Sequence, residues 1–130
     1  MDEKKEKKNR EVNPETIRAF EQMWHYYPFP VFLLLKNRTI VSMNKAAKDM
    51  GIMTGMKCFQ LSGSTGIHEG CLGNSALKDQ AGKRSVLYVP GMKQVLDSYW
   101  LPVPGEKDML IHFAADITEY AKKEMFPAGE

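Results

Sequence analysis

Residues 31–47 read VFLLLKNRTIVSMNKAA, and this stretch decides the fold. Its first five residues are all apolar, which is typical of a short strand buried on both faces. Residues 39–43 predict a second strand. Because only a few polar residues separate the two strands, we predict an antiparallel hairpin, with Asn37 in the left-handed conformation that such turns favour. Asn44 is then predicted to cap a short helix that reaches Asp49.

A helix is predicted to precede this hairpin. Asn13 is a typical N-cap, and Pro14 suits the first helical position, where its missing N–H would have no partner. The helix should end near Tyr27, since Pro28 and Pro30 follow. Its large apolar side chains recur every three or four residues and form one stripe, which consists of Ile17, Phe20, Trp24 and Tyr27. We expect this stripe to lie against the outer face of a sheet or to form the interface of a homodimer.

The second half of the chain changes to the pattern of strands. Residues 85–89, 93–103 and 109–115 are rich in β-branched and aromatic residues and are separated by turns that contain Pro and Gly. Between the halves, residues 56–73 predict loops and short helical turns. Residues 74–80 predict a helix that Gly82 stops. The sequence therefore predicts an α+β domain with five antiparallel strands flanked by short helices.

Composition narrows the class of protein. Of the 130 residues, 18 are basic and 16 acidic, so the formal net charge is +2. Such a balance predicts no general affinity for nucleic acid or for an anionic membrane. No apolar run approaches the ~20 residues that span a bilayer, and the charged N-terminus does not resemble a signal peptide. We therefore expect a cytoplasmic protein whose two cysteines are reduced.

Two strings of the chain resemble the PAS domain, a sensor domain of bacterial and archaeal signal transduction proteins. Residues 27–51 contain the opening hairpin and an N-x-A-A pattern that begins at Asn44. Residues 116–119 read DITE, which is similar to the string that closes many PAS domains. The resemblance implies the sheet order 2-1-5-4-3. It also implies a signal exit after the last strand, where Asp116 and Thr118 are the candidate caps of a short terminal helix.

The resemblance also sets the expected boundaries and function. We expect a disordered charged tail over 1–12, a PAS-like domain over 13–119 that includes the N-terminal helix, and a short exit helix or tail over 120–130. No nucleophile, base and orienting group form a catalytic pattern, so the chain is not expected to be an enzyme. It is expected to be a sensory or regulatory module, responsive to a small molecule or to redox state. Such a module would act through homodimerisation or on a signalling partner in trans.

Cysteine and histidine residues suggest an alternative function. Cys58, His68 and Cys71 are the sequence's cluster of soft metal ligands. A subset of bacterial PAS domains is similar here, with a G-x-x-C-[YF] string followed by a C-x-x-C pair, but Asn74 replaces the second cysteine of that pair. Three ligands are one fewer than a structural zinc site uses. The alternative is thus a small redox or metal-binding protein. Flavin is not predicted, because the flavin-binding string N-C-R-F-L-Q is not matched around Cys58. Covalent haem is not predicted, because no C-x-x-C-H string occurs. His68 or His112 could serve as the axial ligand of a non-covalent haem, but a lone histidine is more often structural or interfacial.

A small apolar pocket between the sheet and the helices is a further expectation. Its candidate lining consists of Met50, Met56, Phe59, Leu72, Leu77, Tyr88, Trp100 and His112. Methionine is a flexible apolar side chain that suits adaptable pockets. An ordinary packed core explains the same residues, so a ligand-free dimerisation adaptor is the other alternative.

Overall fold

The structure is a computed structural model that describes residues 12–62, 65–67 and 70–127. Within these described residues, the chain forms three α-helices and five strands. They are α1 (Pro14–Trp24), β1 (Val31–Leu35), β2 (Ile40–Met43), α2 (Lys45–Asp49), α3 (Gly73–Asp79), β3 (Lys83–Val89), β4 (Gln94–Pro102) and β5 (Met109–Asp116). Short 3-10 helices lie at Cys58–Ser62, Thr118–Tyr120 and Lys123–Met125.

The five strands form one antiparallel sheet in the order β2-β1-β5-β4-β3. Both the fold class and the strand order predicted from the sequence are thereby confirmed. Strand β1 lies between β2 and β5, and its residues are buried alternately on both faces of the sheet, which explains its uninterrupted apolar run. A bulge between Leu33 and Leu34 shifts the register with β2. Such a bulge increases the local twist of the hairpin.

Two apolar clusters lie on the two faces of the sheet. We call the face that carries α2 and α3 the inner face. Its cluster consists of Phe32, Leu34, Ile40, Met43, Ala47, Ala76, Leu77, Trp100 and Leu110. The outer-face cluster is built on Phe20, Val31, Leu33 and Met109, with partly buried neighbours that include Ile17, Trp24 and Tyr27.

The apolar stripe of α1 therefore packs on the protein's own sheet. Trp24 lies 5.3 Å from the ring of Phe113 on β5, and Tyr27 lies 5.5 Å from the same ring. Phe20 is buried beneath the helix. Of the two arrangements expected for the stripe, packing on the outer face is the one the structure contains, so these side chains are already covered within one copy of the chain. Homodimerisation itself stays a prediction.

The hairpin between β1 and β2 turns at a different residue from the one predicted. Arg38, with a φ of 74°, takes the left-handed conformation expected of Asn37. The Asn37 side chain instead accepts a hydrogen bond from the Thr39 N–H at 3.0 Å. This local bond satisfies the turn, while long-range contacts of the Arg38 side chain, described below, hold it in its less favoured backbone conformation.

Two helix ends also differ from the predictions. Helix α1 ends at Trp24 and continues only as a turn, in which the Tyr27 N–H donates to the Trp24 carbonyl at 3.1 Å. Helix α3 ends at Asp79, and the left-handed backbone of its C-cap, Gln80, replaces the predicted stop at Gly82. The Gln80 side chain donates to the Leu77 carbonyl at 2.7 Å, which satisfies one of the free carbonyls at the helix end.

The terminal helix expected after residue 116 is reduced to two short 3-10 turns within the described residues. Its predicted caps do interact. The Asp116 carboxylate accepts hydrogen bonds from both the N–H and the hydroxyl of Thr118, and these bonds hold the pKa of Asp116 below its usual value. Thr118 Oγ1 in turn accepts from the Val95 N–H at 3.0 Å. The end of β5 is therefore tied to the start of β4.

The side chain of Asn44 joins three segments of the chain. Its Oδ1 accepts from the N–H of Val31 at 2.9 Å and from the N–H of Ala47 at 3.2 Å. Its Nδ2 donates to the carbonyls of Tyr27 at 3.0 Å and Phe29 at 2.8 Å. Asn44 is 2% exposed, so water cannot replace these bonds. The predicted cap of α2 is confirmed, and the same amide also fixes the entry to β1.

We predict that Asn44→Ala lowers the free energy of unfolding by at least about 3 kcal/mol, because it leaves several buried backbone groups unpaired at ~1–3 kcal/mol each. Chemical denaturation measures this change. Asn13→Ala is the matched control, since the exposed Asn13 caps α1 with one hydrogen bond and should cost about 1 kcal/mol. Equal losses in the two variants would contradict the role given to Asn44.

Candidate functional site

The inner face of the sheet carries a stacked pair of rings. Trp100 on β4 and His112 on β5 lie with ring centroids 4.8 Å apart and planes 12° from parallel. His112 Nδ1 lies 2.8 Å from the Tyr99 carbonyl, and since a carbonyl only accepts, Nδ1 carries the proton of this bond. The Trp100 Nε1 is buried without a hydrogen-bond acceptor among the described residues. A buried donor in this state costs ~1–3 kcal/mol.

The inner face is covered by helices on the β1 side of this pair and is exposed to solvent towards the ends of β3 and β4. Side chains alternate along a strand, so the positions two and four residues before Trp100 share its face. These positions are Ser98 and Leu96, which pair with Ser85 and Leu87 on β3. None of the four is buried, and Leu87 is 50% exposed. By contrast, Phe32 and Leu110, beside the stacked pair, are buried under the helices.

Most of the predicted pocket residues meet on the inner face. Leu77 and Trp100 belong to the inner-face cluster, Met56 and Leu72 pack against it, and His112 is stacked on Trp100. Phe59 is half-buried in the 3-10 helix at Cys58–Ser62.

Two of the candidates lie away from the inner face. Met50 ends α2 with 67% of its surface exposed. Tyr88 alternates onto the outer face, where it pairs with Val95 and its ring lies 5.9 Å from that of Phe126. Neither can line an inner-face pocket in this structure, because one points to solvent and the other is separated by the sheet.

The two cysteines lie close to each other at the edge of the inner-face cluster. Cys58 and Cys71 are both half-buried and pack against the cluster. Burial raises the pKa of Cys58 to about 11, and the nearby Cys71 contributes in the same direction. The third predicted ligand, His68, lies outside the described residues. Within the described part of the chain, no three His, Cys, Asp or Glu side chains are grouped so that they could hold a metal ion.

Arg38 is a buried cation that the sequence analysis did not identify. Its side chain is 1% exposed. The Nη1 donates to the Lys36 carbonyl, and the Nη2 lies 3.4 Å from Cys71 Sγ and 3.2 Å from Asn74 Oδ1. The Nε has no acceptor, and among the described residues no carboxylate contacts the guanidinium. A buried charge without an opposite charge is expensive and therefore uncommon.

The first turn of α3 is shaped to accept this guanidinium. A Cβ at Gly73 would lie 2.5 Å from Arg38 Nη2 and 2.7 Å from Cζ, so only glycine lets the arginine lie flat against the backbone here. Asn74, which stands where the second cysteine of a C-x-x-C pair would be, supplies the acceptor. An arginine in a polar turn gives no sequence signal of burial, because its partners lie more than 30 residues away.

Several solved structures have the same architecture. A domain of an HTR-like protein from Haloarcula marismortui has a TM-score of 0.55 and 24% identity, over 70% of this chain and 99% of that one. The sensory box sensor histidine kinase from Vibrio cholerae has a TM-score of 0.56 and 14% identity, over 78% and 89%. The PAS domain of nitrogen regulation protein NR(II) from Vibrio parahaemolyticus has a TM-score of 0.57 and 15% identity, over 74% and 95%.

These similarities define the fold. The chain has the PAS fold, as its hairpin and its DITE string predicted. No protein-family model and no curated protein sequence matches the chain. Within the described residues, no helix is long and apolar enough to cross a membrane.

We predict that Cys58 is alkylated slowly at neutral pH and that its rate still rises tenfold per pH unit at pH 10, because the thiolate is the nucleophile and the pKa is about 11. Iodoacetamide labelling, resolved by peptide mass spectrometry, measures this rate. An exposed thiol, with a pKa of ~8.5, would already have levelled off at that pH. Glutathione is the control, and a plateau of the Cys58 rate near pH 9 would contradict the prediction.

Proposed function

We propose that this chain is a PAS-type sensory or regulatory module in signal transduction. In this proposal, a small molecule binds on the inner face of the sheet. The bound state is then passed on through contacts with a second copy of the chain or with a signalling partner. The observation that carries the proposal is the state of the inner face. There, the buried donor Trp100 Nε1 has no acceptor among the described residues and lies beside an open surface of two serines and two leucines.

The chemistry of this surface favours a mostly apolar ligand with one hydrogen-bond acceptor. Leu87 and Leu96 provide apolar contacts, while the Ser85 and Ser98 pair provides hydroxyl groups between these leucines and Trp100. An acceptor that reached Trp100 Nε1 would remove the cost of the unpaired donor, so binding and stability would increase together. Ligand sites generally combine an apolar lining with a few polar groups in this manner.

Strand pairing and hydrogen bonds connect this surface to the turn that follows the last strand. Leu96 pairs with Asp116, whose carboxylate holds Thr118. Thr118 and the Ile117 N–H both bond to the backbone of Val95, at 3.0 Å each. A ligand that moved the open ends of β4 and β5 would therefore also move the turn that leaves the sheet. The candidate exit caps Asp116 and Thr118 fit this role.

The interactions of four described aspartates agree with a binding role. Asp49, Asp79 and Asp97 form ion pairs with Lys45, Lys83 and Arg84 on the surface. Asp116 is a cap. Surface ion pairs and a cap account for these four carboxylates, which supports a binding module rather than an enzyme.

The redox or metal-binding alternative rests on Cys58, His68 and Cys71. Within the described residues, both cysteines contact Arg38, Cys58 through its N–H and Cys71 through its sulfur. The raised pKa of Cys58 keeps it protonated at neutral pH, and a protonated thiol reacts slowly with oxidants. This observation favours a small molecule over redox state as the signal.

We predict that a small organic molecule binds next to Trp100 and that Trp100→Phe weakens it by about fivefold to tenfold, the worth of one hydrogen bond. Native mass spectrometry of freshly purified protein detects a ligand already present. Compounds are then screened by the tryptophan fluorescence of the Trp24→Phe variant. Because the chain has two tryptophans, the emission of this variant comes from Trp100 alone.

Trp24→Phe is also the matched control, because it makes the same substitution on the outer face and should leave ligand affinity unchanged in calorimetry. A freshly purified protein at its apo mass, together with no screened compound that alters Trp100 emission, would overturn the small-molecule proposal and favour the ligand-free adaptor.

We predict that a homodimer, if it carries the signal, uses the solvent side of α1 and of the turn that follows it. Met23 in α1 and Tyr26 in the turn are 80% and 87% exposed, while the stripe residue Trp24 is covered by the sheet. The double variant Met23→Glu, Tyr26→Glu should be monomeric and as stable as the wild type. Trp24→Asp should instead lower stability. Sedimentation equilibrium measures the oligomeric state of each variant. A wild type that stays monomeric at high micromolar concentration would contradict dimerisation.

A further inference from the structure

A groove with a strong positive charge lies at the end of the sheet opposite the exit turn. The β1–β2 hairpin, the helix α3 and the turn before β5 meet there, and the Lys36 N–H donates to the Asp108 carbonyl at 2.8 Å. The groove is lined by Lys36, Asn74, Leu77, Lys78, Gln80, Lys107 and Asp108. Three of these residues are cationic and one is anionic, so the groove carries a net positive charge.

The cations of the groove have no carboxylate partners among the described residues. Lys36, Lys78 and Lys107 are exposed, and none forms an ion pair there. By contrast, Lys45 and Lys83 are paired with aspartates at 2.6 Å and 2.7 Å. The unpaired lysines come from three separate segments of the chain, so folding brings together charges that repel each other.

The buried Arg38 adds a fourth positive charge directly behind the groove. Its guanidinium bonds to two groove residues, through the Lys36 carbonyl and the Asn74 side chain. Its Nε is fully buried without an acceptor, and no described carboxylate offsets its charge. An electric field in a low-dielectric interior is weakly screened, so the charge of Arg38 acts on the groove.

From this arrangement we infer that the groove binds a phosphate-bearing small molecule. Phosphate groups offer several charged acceptor oxygens, and lysine ammonium groups are common phosphate ligands. The amides of Asn74 and Gln80 supply neutral polar contacts, and Leu77 supplies an apolar floor for the rest of the molecule. The bound anion would offset the Arg38 charge. The site is separate from the Trp100 surface, so either can fail without the other.

The test uses inorganic pyrophosphate as the probe, titrated calorimetrically at fixed ionic strength. We expect saturable binding that the triple variant Lys36→Gln, Lys78→Gln, Lys107→Gln weakens by at least about tenfold, since it removes all three exposed cations. The matched control replaces three exposed lysines elsewhere, Lys48, Lys122 and Lys123, with glutamine. It changes the net charge equally and should alter affinity by less than about twofold.

The contribution of Arg38 to binding is tested with one variant of Arg38 and one of its hydrogen-bond partner Asn74. Arg38→Met should weaken pyrophosphate binding, and because that variant can fail to fold, Asn74→Ala is the second variant. Asn74 is exposed, and its loss should weaken binding about threefold or more while the domain stays folded.

Three results would overturn the inference. One is no saturable binding by the wild type, and another is equal weakening in the two triple variants, which would mean that only net charge matters. The third is a single-stranded oligonucleotide that binds far more tightly than pyrophosphate, which would assign the groove to nucleic acid.

Discussion

The side-chain amide of Asn44 is the constraint on which the first half of the domain depends. One buried group accepts two hydrogen bonds and donates two, so it fixes the approach from α1, the start of β1 and the start of α2 together. Because β1 lies between β2 and β5, the position of its first residue sets the register of three strands. The packing of α1 on the outer face and of α2 and α3 on the inner face follows from that register.

The two faces of the sheet are closed to different extents. The outer face between α1 and the sheet is sealed by aromatic contacts among Trp24, Tyr27 and Phe113. The inner face is only partly closed, and among the described residues it holds two buried polar atoms without hydrogen-bond partners, Trp100 Nε1 and Arg38 Nε. Unpaired buried donors are rare in folded domains, so their presence on one face favours that face as the place where other molecules are bound.

The sequence predicted those features that depend on neighbours in the chain. The apolar run of β1, the caps at Asn13 and Asn44, and the alternation of the last three strands are local patterns, and all are present. The predictions that were wrong concern residues whose conformation depends on contacts distant in the sequence. Arg38 takes the turn conformation expected of Asn37 because its guanidinium is held by Asn74, and Tyr88 faces outward because register, rather than composition, sets the face of a strand residue.

Arg38 also anchors both ends of the segment between Cys58 and Cys71. Its carbonyl accepts from the Cys58 N–H at 2.9 Å, while its guanidinium contacts Cys71 Sγ. One residue therefore holds both cysteines, Cys58 through its backbone and Cys71 through its side chain. A substitution at Arg38 would release both attachments at once, so a single change there would alter the surroundings of two thiols together.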